Sequence, residues 1–285
     1  MAGKQGRPTL ARMVRLWRLH ATMDLLWMTR DVRTVATFLA SDAIVGVASV
    51  TATFLLAERF HGIGRWTTFQ VVFMLGYAML VAAIPDVLFN YNIAYISRRL
   101  GRGQLDHTLI QPQPVWMALL TEGFMPFSTA LELIPGLAVL IWAMGRIGVA
   151  ISPAWLALLA LNVMASAAIA LSFSFTWGSL AFWAPRAAEE INSSSWRLLD
   201  QLKPFPLDGV GPALLGGLLT VVPVGFLAWY PCRVLLGLDR APYGIAVTPL
   251  AAVIFAAIAL WVFQRGMQQY GRTGSQRYLS FGHRR

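Results

Sequence analysis

The residues of this chain that could do chemistry are a few polar groups set in apolar surroundings. Asp42, Glu122, Glu132 and Asn162 each fall inside or at the start of a long hydrophobic run. A charge at the centre of a bilayer costs about 2.5–3.5 kcal/mol on insertion scales, so such groups turn toward protein or water. Asp42 and Glu132 therefore have two readings, lining a path or cavity, or hydrogen bonding between helices. Glu122 and Asn162 join them as path candidates. Asp86 follows Pro85 near a helix end and reads as structural. No arginine or lysine offers itself within the runs as a partner.

Other chemistries are excluded. A Walker A loop needs Gly-Lys before Ser or Thr, with another glycine five residues earlier. The only lysines are Lys4, too close to the start, and Lys203, which follows Leu202. Neither an H-x-x-x-H metal helix nor a G-x-S-x-G elbow occurs. The pair Gly101 and Gly103 lacks the third glycine and the strand of a dinucleotide site. Cys232 stands alone, and His20, His61, His107 and His283 are scattered, so no metal or disulfide framework is expected.

The elements that must position these groups follow from composition. The chain has 285 residues, 57% hydrophobic and 13% charged, where a soluble domain carries roughly 25% charge. The apolar residues come in blocks of about 20, the length that crosses a hydrocarbon core about 30 Å thick. The fold class is an all-α polytopic membrane protein. Six spans are predicted, at Val35–Ala57, Thr67–Phe89, Val115–Met144, Ala154–Trp183, Pro212–Tyr230 and Ile245–Phe263. Residues 1–34 form a separate cytoplasmic and interfacial segment, and residues 35–285 the membrane domain. With an aspartate inside it, the first span does not resemble a short signal core.

Six spans place both termini on one side. Of the 23 basic residues, most fall in the N-terminal segment, the loops after spans two and four, and the tail. The positive-inside rule puts these in the cytoplasm. The net charge of +10 is thus a topology signal, and no nucleic-acid role is expected. Leu10, Val14 and Trp17 begin an apolar helical stripe flanked by Arg12, Arg15 and Arg18, the pattern of a helix lying in the membrane interface. Pro223 would kink the fifth span, Val234–Leu238 reads equally as re-entrant or as a packed loop, and residues 185–203 could form a surface helix.

The stretch "RRLGRGQLDHTLIQP", residues 98–112, lies between spans two and three. Span two should run on through Ile96 to about Leu100, and Gly101 and Gly103 should break it. Leu105, Leu109 and Ile110 would share one side of a short helix that Pro112 and Pro114 stop. A short cytoplasmic helix with an apolar face suits a partner's groove.

The chain resembles the permease subunits of type-2 ABC exporters, closest to a bacterial branch with paired permease genes. The resemblance rests on a G-x-L-D-x-x-L-x-x-P pattern (Gly103, Leu105, Asp106, Leu109, Pro112), on "VVPVGFLAWYP" at 221–231, and on a G-x-x-x-Y tail at Gly266–Tyr270. Gln111 departs from the branch, where arginine is common. The resemblance implies an inner-membrane exporter subunit with an N-terminal elbow helix. Its coupling helix, bearing Arg98, Arg99, Gly101, Gly103, Leu105, Asp106, Leu109 and Pro112, would dock on a separate ATPase that holds ATP and magnesium. It also implies a second permease subunit, related or identical. Rival readings are an ion- or proton-coupled carrier, which would show broken spans in two related halves, and a lipid-modifying enzyme, which would show an interfacial acid or histidine cluster.

Overall fold

A computed structural model describes residues 10–59, 64–89, 92–127, 133–239, 241 and 243–274, and of Asp42 the backbone only. Every regular element among them is helical. The helices are α1 (Leu10–Arg30), α2 (Val32–Arg59), α3 (Thr68–Phe89), α4 (Ile96–Gly101), α5 (Gln104–Leu109) and α6 (Val115–Thr121). They continue with α7 (Leu133–Ile147), α8 (Pro153–Ser179), α9 (Pro185–Leu202), α10 (Pro212–Thr220), α11 (Trp229–Leu235) and α12 (Gly244–Thr273). Here the end of the stack carrying α4 and α5 is the lower end, and the end where α3 and α8 begin is the upper end.

Four helices are long and apolar enough to cross a membrane: α2, α3, α8 with the short turn after it, and α12. The core forms around α3, whose residues Val71 to Ala78 are all buried. Helix α7 lies close against it, because a Cβ at Gly76 would stand 2.7 Å from the Leu140 nitrogen. Small residues at such a crossing let two backbones approach and gain dispersion contact. Helix α8 starts crisply. Pro153 takes the first turn, where its missing N–H costs nothing, and the Ser152 hydroxyl accepts from Trp155 N at 3.1 Å.

Helices α8 and α12 run the same way. Phe175 meets Phe263 with centroids 5.0 Å apart, and seven residues further along each segment Phe182, in the short turn after α8, meets Tyr270 at 5.9 Å. Helix α9 runs opposite to α8. Ala188 shares a cluster with Phe182, Asn192 bonds Ser174, and Trp196 and Leu199 flank a crevice with Ala170. By Leu207 the chain has reached Trp66 and Val71 at the upper end. Residues 185–207 therefore traverse the stack from bottom to top. The expected surface helix is present, but it is not confined to the lower loop.

That path corrects the expected fifth span. Helices α10 and α11 are bent by 72° at the break around Pro223. Ser166 Oγ donates to the Phe226 carbonyl at 2.7 Å, thirteen residues into α8 and so about 20 Å below its start. The chain then climbs back, and Trp155 Nε1 donates to the Leu235 carbonyl at 2.9 Å. Residues 212–235 enter from the upper end and return to it, and Leu235, at the start of Val234–Leu238, lies back at that end against Trp155. The third expected span is also interrupted. Helix α6 stops at Thr121, Met125 N bonds the Val87 carbonyl at 3.2 Å, and α7 begins only at Leu133.

Candidate functional site

The segment between α3 and α6 is a small scaffold of its own. The backbone turns at 92–95 before α4, so span two does not run on unbroken. Gly101 ends α4 as a buried helical residue, and the break falls at Gly103 alone. Gly103 has φ +70°, the left-handed region open to glycine at little cost. Helix α5 follows, and Leu105 is completely buried in the lower core. The outward apolar side chains are Leu109, 41% exposed, and Ile110, 81% exposed, and Gln104 and His107 are exposed as well. Leu105 thus seats the helix, and Leu109 and Ile110 form the apolar part of its free surface.

Long-range bonds fix this hairpin. Tyr270, at the lower end of α12, donates its hydroxyl to Asp106 Oδ1. Its ring stands edge-on to Phe182. One turn earlier, Gly266 gives that ring room, since a Cβ there would overlap it. The two halves of the resemblance, G-x-L-D and G-x-x-x-Y, are therefore one contact. A charge-assisted bond of this kind contributes about 1.5–3 kcal/mol.

Arg98 lies 4.7 Å from the Tyr95 ring centroid, and its Nε donates to Glu189 Oε1 of α9 at 3.2 Å. Burial pushes the Tyr95 phenol above its usual pKa, with Arg98 pulling the other way, so it stays neutral. Arg99 donates Nη2 to Glu122 Oε2 at 2.6 Å and Nη1 to Asn92. Gln111 Nε2 donates to the other oxygen, Glu122 Oε1, at 3.1 Å. Glu122 therefore has the basic partner that the sequence did not reveal. It braces the hairpin, and residue 111 still makes a polar contact despite the change from arginine. Asn192 of α9 donates to the Ala94 carbonyl at 2.7 Å and accepts from Ser174 Oγ at 2.8 Å. The hairpin is thus tied to α6, α9 and α12.

Helix α1 reaches the same assembly. Arg12 Nη2 donates to the Pro112 carbonyl at 3.0 Å, Trp17 Nε1 to the Leu120 carbonyl at 3.1 Å, and Asp24 Oδ2 accepts from Phe127 N at 2.7 Å. Its protein-facing stripe runs through Met13, Leu16, Trp17, Ala21 and Asp24. Leu10 and Val14, expected on an apolar face lying in the membrane interface, are 76% and 43% exposed, and Arg15 and Arg18 are exposed as well.

Of the remaining path candidates, only Asn162 has a described side chain. Asp42 lies in α2 with its side chain outside the described residues, and Glu132 lies outside them entirely. Asn162 is fully buried in α8; its Nδ2 donates to the Leu158 carbonyl at 2.9 Å and its Oδ1 has no partner.

Helix α9 supplies what sequence reading missed. Ala188, Asn192 and Leu199 form its buried side. On the opposite side Arg186, Glu190, Ser194, Arg197 and Gln201 are exposed, and at 3.6 residues per turn they share about a third of the circumference. Arg186, Glu190 and Arg197 make no ion pair among the described residues. At the upper end Asp208 accepts from Trp66 Nε1, from Trp229 Nε1 at 2.7 Å and from Arg233 Nη1 at 3.4 Å. This lock holds the top of α9, the start of α3 and the re-entrant hairpin to one another. The spacing of Ala188, Asn192 and Leu199 was the available signal for α9, hidden by the polarity of the rest.

A family model described as "ABC-2 family transporter protein" matches residues 43–274. No curated protein and no solved structure matches the chain.

Proposed function

The chain belongs to the ABC-2 family of transporter proteins, and on that footing we propose that it is the permease subunit of an ATP-driven exporter. As a member of that family it is a multi-pass membrane component of transport, and the family in general works with an ATPase subunit. In the proposed reading ATP and magnesium sit in that separate subunit, and α5 is the element it grips. Two permease subunits, identical or related, pair in the bacterial inner membrane with their lower ends in the cytoplasm.

The observation that carries the reading is the build of the α5 hairpin. A helix of six residues is not stable alone. Here it is pinned by Leu105 below, by the Asp106–Tyr270 bond at its side and by Gly103 behind. Leu109 and Ile110 are its exposed apolar residues, beside the exposed polar Gln104 and His107. That is a rigid knob with an apolar tip, suited to a partner's groove. Because its ties reach α6, α9 and α12, a displacement of α5 reaches three wall helices. ATP-driven closure of the partner moves the equilibrium only if the partner binds one setting of this hairpin more tightly than the other. Leu109→Arg with Ile110→Arg should release the ATPase from affinity-purified complex and leave the permease monodisperse. Undiminished recovery of the ATPase with the double variant would sink the docking surface. Leu105→Arg is no test of docking, since Leu105 is buried within the chain.

The crossings proposed are α2, α3, α6 with α7, α8, α9 and α12. They make six and keep both termini together, as the basic residues demand. Helix α9 is the wall of the path. Its exposed polar side would face hydrocarbon if the chain stood alone, at about 2.5–3.5 kcal/mol for each charge near mid-bilayer. An aqueous path shared with the second permease subunit removes that cost.

A further inference from the structure

We propose that Arg197 of α9 binds the anionic headgroup of an amphiphilic substrate in the translocation path. This rests on the reading of α9 as a wall of that path. The depth of Arg197 is set by its neighbours. Trp196 and Leu199 lie against Val81 of α3 and Ala170 of α8. Val81 is about 20 Å from the upper end of α3 and about 12 Å from its lower end at 1.5 Å per residue. Trp196 also meets the Tyr95 ring, just before α4, with centroids 6.4 Å apart, so Arg197 is a cation in the lower half of the stack, and its side chain is exposed with no ion pair among the described residues.

The acids nearby do not neutralise it. Asp200 is taken by Lys203. Glu190 lies on the same side but two turns lower, about 10 Å along the axis. Pairing two copies does not help either. If the two subunits are identical, an axis along the membrane normal brings equal depths face to face, so Arg197 meets Arg197 and not Glu190. Two like charges across a shared cavity call for an anion between them. Next to the polar stripe Ile191 and Leu198 are exposed, at 39% and 42%, which provides an apolar shoulder for a chain attached to that anion. Ser194, just below on the same side, adds a hydroxyl donor.

The test uses the purified permease–ATPase complex in a neutral maltoside detergent, with thermal stabilisation as the readout. The probes are dodecyl phosphate, dodecyltrimethylammonium and inorganic phosphate. Dodecyl phosphate should stabilise the wild-type complex, with the other two ineffective. Arg197→Gln should raise its half-saturating concentration at least tenfold, Arg197→Lys should keep most of the response, and Glu190→Gln should not weaken it. An unchanged response in Arg197→Gln overturns the proposal, as does an equal response to the cationic probe. Inorganic phosphate acting as well as dodecyl phosphate would overturn the amphiphile and leave a free-anion site. A companion measurement separates this from the reading beneath it. On a Cys232→Ala background, Ser194→Cys should react with a charged thiol reagent in the assembled complex. Reaction there without any anion preference leaves α9 in the path and removes the anion. No reaction removes α9 from the path, and the proposal with it.

Discussion

Asp106 and Tyr270 are 164 positions apart and joined by a hydrogen bond that the tyrosine hydroxyl donates. Tyr270→Phe removes that bond and keeps the ring on Phe182. It should destabilise the chain by about 1.5–3 kcal/mol. Transport should fall more than ATPase recovery, because the hairpin stays but loosens from α12. Transport equal to wild type would mean that the bond is structural only. Gly266→Val is the harsher change, since its side chain would occupy the space of the Phe182 ring. It should abolish monodisperse assembly in detergent. Gly271→Ala, in open space five residues on, should be silent in the same chromatogram. Both the aspartate and the tyrosine could be picked out from the family resemblance. That they touch could not, because nothing local in sequence links a loop to a distant tail.

Helix α9 shows how one element serves two environments. Its inner side is held by Asn192, whose amide donates to the Ala94 carbonyl and the Ser97 hydroxyl and accepts from Ser174. Asn192→Leu strips the Ser97 hydroxyl of that partner at about 1–3 kcal/mol, whereas the Ala94 carbonyl and the Ser174 hydroxyl keep their bond to each other. The midpoint of thermal unfolding of the complex should fall by several degrees, and Ser193→Ala, at a half-exposed position beside it, should change little. The top of α9 depends on Asp208. Asp208→Ala orphans the indole N–H groups of Trp66 and Trp229, again at about 1–3 kcal/mol each. Tryptophan emission should shift to the red as water reaches these rings. An unaltered spectrum would mean that the re-entrant hairpin is held by its apolar contacts with Leu207 and Leu218 alone.

At the scale of the molecule, α2 is the least covered crossing, with Phe38, Ile44, Val45 and Val47 all more than half exposed. Apolar surface of that extent belongs against lipid or another chain. The course of the polypeptide yields a sharper prediction. If residues 185–211 were a lower loop, Gly211 would face the cytoplasm. If α9 crosses, Gly211 lies at the outer surface, exposed and with space around it. On the Cys232→Ala background, Gly211→Cys should be labelled by a membrane-impermeant thiol reagent added to intact cells, spheroplasted if an outer membrane intervenes. Labelling only after the inner membrane is opened would return α9 to the cytoplasmic side.

The sequence by itself determined the class, the absence of a Walker A motif and the motif residues of the hairpin around α5. Those are properties of residue type, spacing and mean apolarity, which survive in any conformation. Two assignments were decided only by tertiary contact. Residues 212–230 are apolar enough to cross, yet Ser166 and Trp155 pin them as a hairpin that turns back. Helix α9 is too polar on average to be read as a crossing, yet it runs the length of the stack with its apolar side covered. A mean over a helix weighs every residue equally. What an element costs in a membrane depends on which side is covered, and packing decides that. The same holds within α5, where Leu105 and Leu109 are both leucines one turn apart. The fold buries the first and leaves the second for a partner.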